Sequence, residues 1–503
     1  MLLKEDRMTT AELVKTTVDP SGYHYKTQPY DHQLKVFMES RHKPYHALFM
    51  EQGTGKSKVV VDTAAWLFQQ DEIDALLVIG PKGSYDEWRT THVPTHMPDS
   101  VPYKMSVWSS YTTADVLRGF ESLFKPVSQR TLKVFVVNLE ALSHADGKAT
   151  AAVVKFLKAH PRCLGVVDES SQIRNRGAQR TKNIIRLRSM LKYRRILTGT
   201  PISQSPLDLF TQCLFLHETA PGTKSFTVFR LEHAIIEKKH YGPRSFDVIT
   251  GYQNLDKLRE RVAGFSHIIR KEDCLDLPPK VFMTRRVPLS DEQRKIYQQL
   301  RDEALVMLDG AAVVTAPLVL TQILRLHQVA CGHLVLDDGT VKSLTNARLE
   351  ALDEVLDETS GQTIIWANYR HDLAQIYARL VARYGEHAVA AYWGATSEED
   401  RIKGLEAFRA GTAQFFVGNP STGGYGLNLV QASNVVYYSN SFNLEHRLQS
   451  EDRAHRIGQT KTVTYTDLVA PGTVDEKIVQ ALVRKNKLAL GTMGGEWRAW
   501  IEA

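Results

Sequence analysis

Residues Phe49 to Val60 read FMEQGTGKSKVV, and the organisation of the chain turns on how they are read. The apolar run HALFM before them has the length and composition of a short buried strand, and KSKVVVDTAAWLF after them reads as a helix from Lys56 onward. A glycine-rich turn between a strand and a helix N-terminus points backbone N–H groups and a favourable dipole at an anion. In that setting Gly53, Thr54 and Gly55 would wrap a nucleotide phosphate, Lys56 would reach its β and γ groups, and Ser57 would ligate Mg²⁺. Met50 holds the first Gly position of the full phosphate-loop pattern, so a plain strand-to-helix turn is the alternative.

Two further stretches bear on that choice. In CLGVVDESSQIRNR, Leu164 to Val167 form an apolar run ending in Asp168-Glu169. Carboxylates at the C-terminal end of a parallel strand lie on the ligand edge of an α/β sheet, where Asp168 suits Mg²⁺ and Glu169 suits activation of water. Alone, Asp-Glu after an apolar run is also a common helix start. Much later, QSEDRAHRIGQ (449–459) sets Arg453 and Arg456 three residues apart, on one side of a helix or tight turn. They suit a solvated helix face, or a pair of arginines delivered to a γ-phosphate from a second domain.

Size and composition agree with a multidomain globular protein: 503 residues, 43% hydrophobic, 24% charged, with no low-complexity segment. The net charge of +7 permits a polyanionic partner without requiring one. Cys163, Cys213, Cys274 and Cys331 are far apart and form no metal-binding pair or disulfide framework. MLLKEDRMTTAELVK at the start carries charges where a signal peptide needs an apolar core, and no run of about 18 apolar residues occurs. A cytoplasmic protein with no membrane association is expected, in a bacterial or phage-infected cell.

Taken in order, these stretches resemble the Swi/Snf family of DNA-dependent ATPases, within superfamily two of the helicase-like proteins. The likeness runs from about Pro29 to Lys487 and includes PYDHQ (29–33), ALLVIGPKGSYDEW (75–88), KVFVVNLEAL (133–142) and RRILTGTPISQSPLDLF (194–210). It becomes family-specific in FSHIIRKEDCLDLPPKVFMTRRVPLSDEQRKIYQQL (265–300) and ILRLHQVACGH (323–333). GQTIIWANYRHDL, AYWGATSEEDR, FFVGNPSTGGYGLNLVQASNVVYYSNSFN, QSEDRAHRIGQ and GTVDEKIVQALVRK (472–485) follow in family order. The resemblance implies an α/β fold of two RecA-like parallel-sheet lobes with helical insertions, closing on ATP. It implies adenine reading by Gln33, nucleotide contacts at Gly424 and Gln449, and nucleic-acid contacts at Lys82 and Thr200. Ser171, Asn419-Pro420, Asn440 and Phe442 depart from the residues common in relatives.

The expected divisions are a first lobe over 1–278, with a helical insert at about 215–255; a linker and helical protrusion over 279–345; a second lobe over 346–476; and a closing helix over 477–503. Strand-like GQTIIWANY, AQFFVGNP and SNVVYYSN alternating with helical HDLAQIYARLVARYG support the second parallel sheet. From Arg174 to Arg195 there are nine Lys or Arg and no acidic residue. The run reads as a phosphate-tracking surface, with Arg174, Arg176, Arg180 and Lys182 as candidates, or as a solvated helix face. Arg270-Lys271 and Arg285-Arg286 are weaker candidates, equally suited to hinge surface.

The function expected is ATP-dependent translocation on duplex DNA without base reading, displacing or remodelling what is bound, with a protein partner supplying any targeting. A strand-separating or strand-annealing helicase, and a nucleotide-gated DNA binder without motor activity, are the competing readings.

Overall fold

Strands that are apolar along their whole length can be satisfied only inside a sheet covered on both faces. The stretches Tyr45–Met50, Ala75–Gly80, Leu132–Asn138 and Cys163–Asp168 are of this kind, and almost every residue in them is buried. In the computed structural model they belong to one seven-stranded sheet, ordered Tyr103–Trp108, Leu132–Asn138, Ala75–Gly80, Cys163–Asp168, Tyr193–Leu197, Tyr45–Met50, Ser266–Ile269. Every pairing in it is parallel. Described are residues 22–81, 84–108, 113–126, 128–144, 146–241, 244–310, 316–336, 338–423 and 427–493; the candidates Lys82 and Gly424 lie outside them.

Helices cover the two faces, giving two apolar layers. One centres on Phe135, Phe156 and Phe215, the other on Phe37, Leu67 and Trp88. Each fully buried Leu, Val or Phe in them contributes roughly 1.5–3 kcal/mol relative to exposure. The same logic builds the second lobe, a six-stranded all-parallel sheet ordered Lys280–Arg286, Val463–Val469, Asn434–Tyr437, Thr363–Trp366, Phe415–Gly418, Val389–Tyr392.

Two expectations are corrected. Lys280–Arg286, assigned to the linker, is an edge strand of the second sheet, pairing residue for residue with Val463–Val469. Its flanking basic residues suit an edge open to water, and Val281, Phe282 and Met283 are all exposed there. The supposed helical insert at 215–255 contains one short helix, Phe226–His233, and then an antiparallel hairpin of Ala234–Tyr241 with Arg244–Tyr252. Its β-branched and aromatic alternation is a hairpin pattern, and Ile236 and Ile249 pack against the first core.

A buried polar junction joins the protrusion helix Ala316–Cys331, the helix Ala347–Glu358 and the closing helix Val474–Met493. The guanidinium of Arg348 donates to Asp475 at 2.5 Å, to the Tyr438 carbonyl at 2.6 Å and to the Leu468 carbonyl at 3.1 Å. Asp475 also meets His327 at 3.3 Å and accepts from the Ala470 N–H at 2.9 Å. Among the described residues no helix is long and apolar enough to cross a membrane, and the four cysteines are free.

Candidate nucleotide site between the lobes

The strand Tyr45–Met50 ends at the C-terminal edge of the first sheet, and the helix Lys56–Gln69 starts six residues later. The turn between needs left-handed backbone twice, and glycine supplies it: Gly53 stands at φ 83° and Gly55 at φ 90°. Gly55 has a second reason. A Cβ there would lie 2.2 Å from Gln33 Nε2, the amide that donates to the Thr54 carbonyl at 3.1 Å. Gly55→Ala therefore adds backbone strain and evicts Gln33. At about 1–2 kcal/mol for the strain alone, nucleotide affinity should fall by about tenfold or more, measurable with a fluorescent nucleotide.

The Lys56 ammonium is 9% exposed and rests on the Met50 and Glu51 carbonyls at 2.9 and 3.2 Å. Across from it, Asp168 closes the strand Cys163–Asp168, accepting from Trp88 Nε1 at 2.9 Å and from the Glu169 N–H at 3.0 Å. Glu169 occupies the left-handed region at φ 48°, a conformation that costs a non-glycine residue energy and is concentrated at functional sites. Its two oxygens accept from Gln52 Nε2 at 3.1 Å and from Thr198 Oγ1 at 3.2 Å. Burial raises both carboxyls above their usual range; the Lys56 charge opposes this, and for Glu169 the Asp168 charge adds to it.

The second lobe completes the site. The helix Leu444–Glu451 runs into a turn carrying Arg453 and Arg456, and Arg453 donates to Gln52 Oε1 at 2.6 Å, crossing between lobes. Burial and the Arg456 charge pull Arg453 down to about 10; burial likewise lowers Arg456. Two desolvated cations facing Lys56 make a place where an anion would be strongly stabilised. A polar cavity of about 220 Å³ is lined by Gly53, Gly55, Lys56, Ser57, Asp168, Glu169, Arg453 and Arg456. Glu87, His92 and His96 line it too, and burial lowers both imidazoles to about 4, so they are neutral at pH 7.

Sequence reading named eight of the lining residues, Gly53, Gly55, Lys56, Ser57, Asp168, Glu169, Arg453 and Arg456, and missed the rest. Gln52 and Thr198 lay inside quoted stretches without a role, and nothing local marks them as partners of Glu169. Trp88 could be found only through its contact with Asp168. Gln33 and Gln449 do not line the cavity: Gln33 braces the phosphate loop from behind, while Gln449 is 1% exposed and its carbonyl accepts from Arg453 Nε at 2.9 Å. Thr200 lines a separate interlobe cavity with Phe49, Ile268 and Pro278.

The lobes are also tied beside the site. Glu445, wholly buried, accepts from Ser171 Oγ at 2.9 Å, Gln172 Nε2 at 2.7 Å and Arg174 Nη1 at 2.8 Å. Ser171 thus makes an interlobe contact. Lys271, buried, links the two lobes: its N–H donates to Glu51 at 2.8 Å and its ammonium to Asp452 at 2.6 Å. In the basic run Arg174 faces Glu445, Arg176 lies over the Phe226 ring at 4.5 Å, and Arg195 is buried against the Ser40 carbonyl at 2.8 Å. Arg188 and Lys192 pair with Glu218 and Glu72, while Arg176, Lys182 and Arg186 are exposed and Arg180 is half-buried.

Two facing parallel-sheet lobes, with a phosphate loop on one and paired arginines on the other, define a two-lobed helicase-like core. A SNF2-related domain model matches residues 30–334, and a helicase conserved C-terminal domain model matches 347–458. The chain belongs to the SNF2-related family of helicase-like ATPases. It is 27% identical over 372 residues to the putative ATP-dependent helicase/translocase YwqA of Bacillus subtilis, covering 70% of this chain and 37% of that protein. It is 22% identical over 504 residues to the ISWI chromatin-remodeling complex ATPase ISW1 of Saccharomyces cerevisiae, covering 93% of this chain and 41% of that protein. The chain thus spans about two fifths of the length of these relatives. Among solved structures it is similar to the Sulfolobus solfataricus SWI2/SNF2 ATPase core in complex with dsDNA, at TM-score 0.40 and 21% identity over 95% of this chain and 96% of that one.

Proposed function

We propose that this chain hydrolyses ATP to translocate along duplex DNA, remodelling or displacing what is bound there. The observation that carries the reading is the composite site: Arg453 of the second lobe donates to Gln52 of the first, Gln52 donates to Glu169, and Arg453 and Glu169 line one cavity. A triphosphate seated there would contact both lobes, so its binding and loss would bias closure and opening, the hinge motion a motor needs.

In this reading Lys56 and the loop N–H groups hold the phosphates, Glu169 takes a proton from the attacking water, and Arg453 and Arg456 stabilise charge on the transferred group. The Ser57 hydroxyl and the Asp168 carboxylate, both lining the cavity, are a hard-oxygen donor set that fits Mg²⁺. When bound, the ion would neutralise phosphate charge. Arg176, Arg180 and Lys182 are proposed to contact the DNA backbone, next to the Asp168-Glu169 strand, so that polymer binding and catalysis share one segment. Targeting would come from a protein partner.

The test is steady-state ATP hydrolysis at fixed low salt with no nucleic acid, duplex DNA, single-stranded DNA and RNA. Strong stimulation by duplex alone is expected. The hairpin Ala234–Tyr252, with Phe246 exposed, favours strand separation as the second reading, which stimulation mainly by single strands and displacement on a forked duplex would establish. No turnover with any polymer would leave the nucleotide-gated binder. Lys182→Ala should weaken binding equally for unrelated duplex sequences and reduce the slope of log affinity against log salt by about one.

A further inference from the structure

We propose that Gln52 is a positioning residue that transmits the docking of Arg453 to Glu169, so that the base is ordered only when the lobes close. The inference rests on the ATPase reading above and deepens it.

The amide of Gln52 bridges Glu169 and Arg453. Its Nε2 donates to Glu169 Oε1 at 3.1 Å and its Oε1 accepts from Arg453 Nη2 at 2.6 Å. A guanidinium has only donors and an ionised carboxylate only acceptors, so a single orientation of the amide satisfies both. Arg453 is itself oriented within the second lobe, donating to the Gln449 carbonyl at 2.9 Å and the Leu427 carbonyl at 3.2 Å. It therefore presents Nη2 to Gln52 only when the second lobe is seated.

Glu169 is consequently held at two points of different character. Thr198 donates to Oε2 at 3.2 Å from within the first lobe, a contact that is independent of closure. The donor on Oε1 is set by the second lobe through Gln52. One hydrogen bond leaves a carboxylate free to swing about its terminal torsion; two fix its plane. Glu169 also sits in left-handed backbone, which aims the side chain into the cavity and holds it there only while its partners do. A methionine or leucine at position 52 would fill the same space but could not report the position of Arg453.

The experiment compares kcat and KM for ATP at saturating polymer in the full chain, for wild type, Gln52→Met, Gln52→Glu, Arg453→Ala and Gln52→Met/Arg453→Ala. Gln52→Met should lower kcat about ten- to a hundredfold with KM within about threefold, since the lost contact orders a reacting group without binding substrate. Gln52→Glu keeps the shape and the Arg453 contact but sets an acceptor against Glu169, and should lose turnover as well. In the Arg453→Ala background the Gln52→Met change should cost less than about twofold, because the amide no longer has a second lobe to answer to. Wild-type kcat in either Gln52 variant, or the same fold-loss in both backgrounds, would overturn the proposal and assign Gln52 to packing. Wild-type protein no faster than Lys56→Ala would overturn the ATPase reading and this one with it, whereas normal turnover in Gln52→Met alone removes only this one.

Discussion

Glu169→Gln is expected to lower ATP turnover by about a hundred- to ten-thousandfold while leaving the fold and nucleotide binding intact. The substitution conserves shape, and a glutamine can occupy the same left-handed backbone as Glu169 at φ 48°. Its amide oxygen can still accept from Thr198 or Gln52. What it cannot do is take a proton from water. Burial raises the carboxyl of Glu169 above the usual range, which makes its anion a better base than an exposed glutamate. Lys56→Ala should lower turnover by a different route, by loss of nucleotide affinity, because the ammonium next to the Met50 and Glu51 carbonyls lines the cavity at the phosphate loop. Titration of binding and turnover in parallel separates the two: Glu169→Gln should bind and not turn over, Lys56→Ala should fail at binding. Wild-type turnover in Glu169→Gln would remove it from the role of base.

The largest effect on stability is expected from Asp475→Asn. Arg348 is 1% exposed and, among the described residues, its charge has one carboxylate partner, Asp475, itself fully buried. Removing that charge leaves a guanidinium uncompensated in the interior, a loss of about 3–5 kcal/mol. Three helices far apart in sequence meet at this pair, so the loss should appear as early unfolding of the second lobe rather than as a local change. The pH dependence follows from the direction of the shift. Burial alone would raise the Asp475 carboxyl, but Arg348, His327 and the Ala470 N–H overcome it and hold the group well below the ordinary aspartate value. The pair's stabilisation is therefore complete above about pH 4, the unfolded-state value, and is lost as pH falls below it. Urea unfolding at pH 7 and near pH 3 should show a large gap between wild type and Asp475→Asn at the higher pH and a smaller one at the lower. Equal gaps would show that the pair contributes nothing through charge.

The parallel sheets were readable from continuous apolar runs such as CLGVV and TIIW, because burial on both faces leaves no polar position to hide the strand. The edge strand Lys280–Arg286 was not, since an edge alternates weakly and its neighbour Val463–Val469 lies almost 180 residues downstream. The hairpin of Ala234–Tyr241 with Arg244–Tyr252 was read as helix; in a mixed-charge segment the family expectation outweighed the period-two pattern. The run of nine basic residues illustrates the other limit. Composition could not tell Arg195, buried on the Ser40 carbonyl, or Arg174, facing Glu445, from the exposed Lys182.

Lys56, Ser57, Asp168, Glu169, Arg453 and Arg456 were legible in the chain alone. Each stands in a local pattern, a glycine turn, a strand end or a three-residue spacing, whose geometry is set by backbone hydrogen bonding within a few residues. Which groups face them was decided by folding. Gln52 between Glu169 and Arg453, Glu445 gathering Ser171, Gln172 and Arg174, and Asp475 holding Arg348 each join residues more than a hundred positions apart. Such pairings depend on how two sheets and their connecting helices pack, and no window of sequence contains both partners.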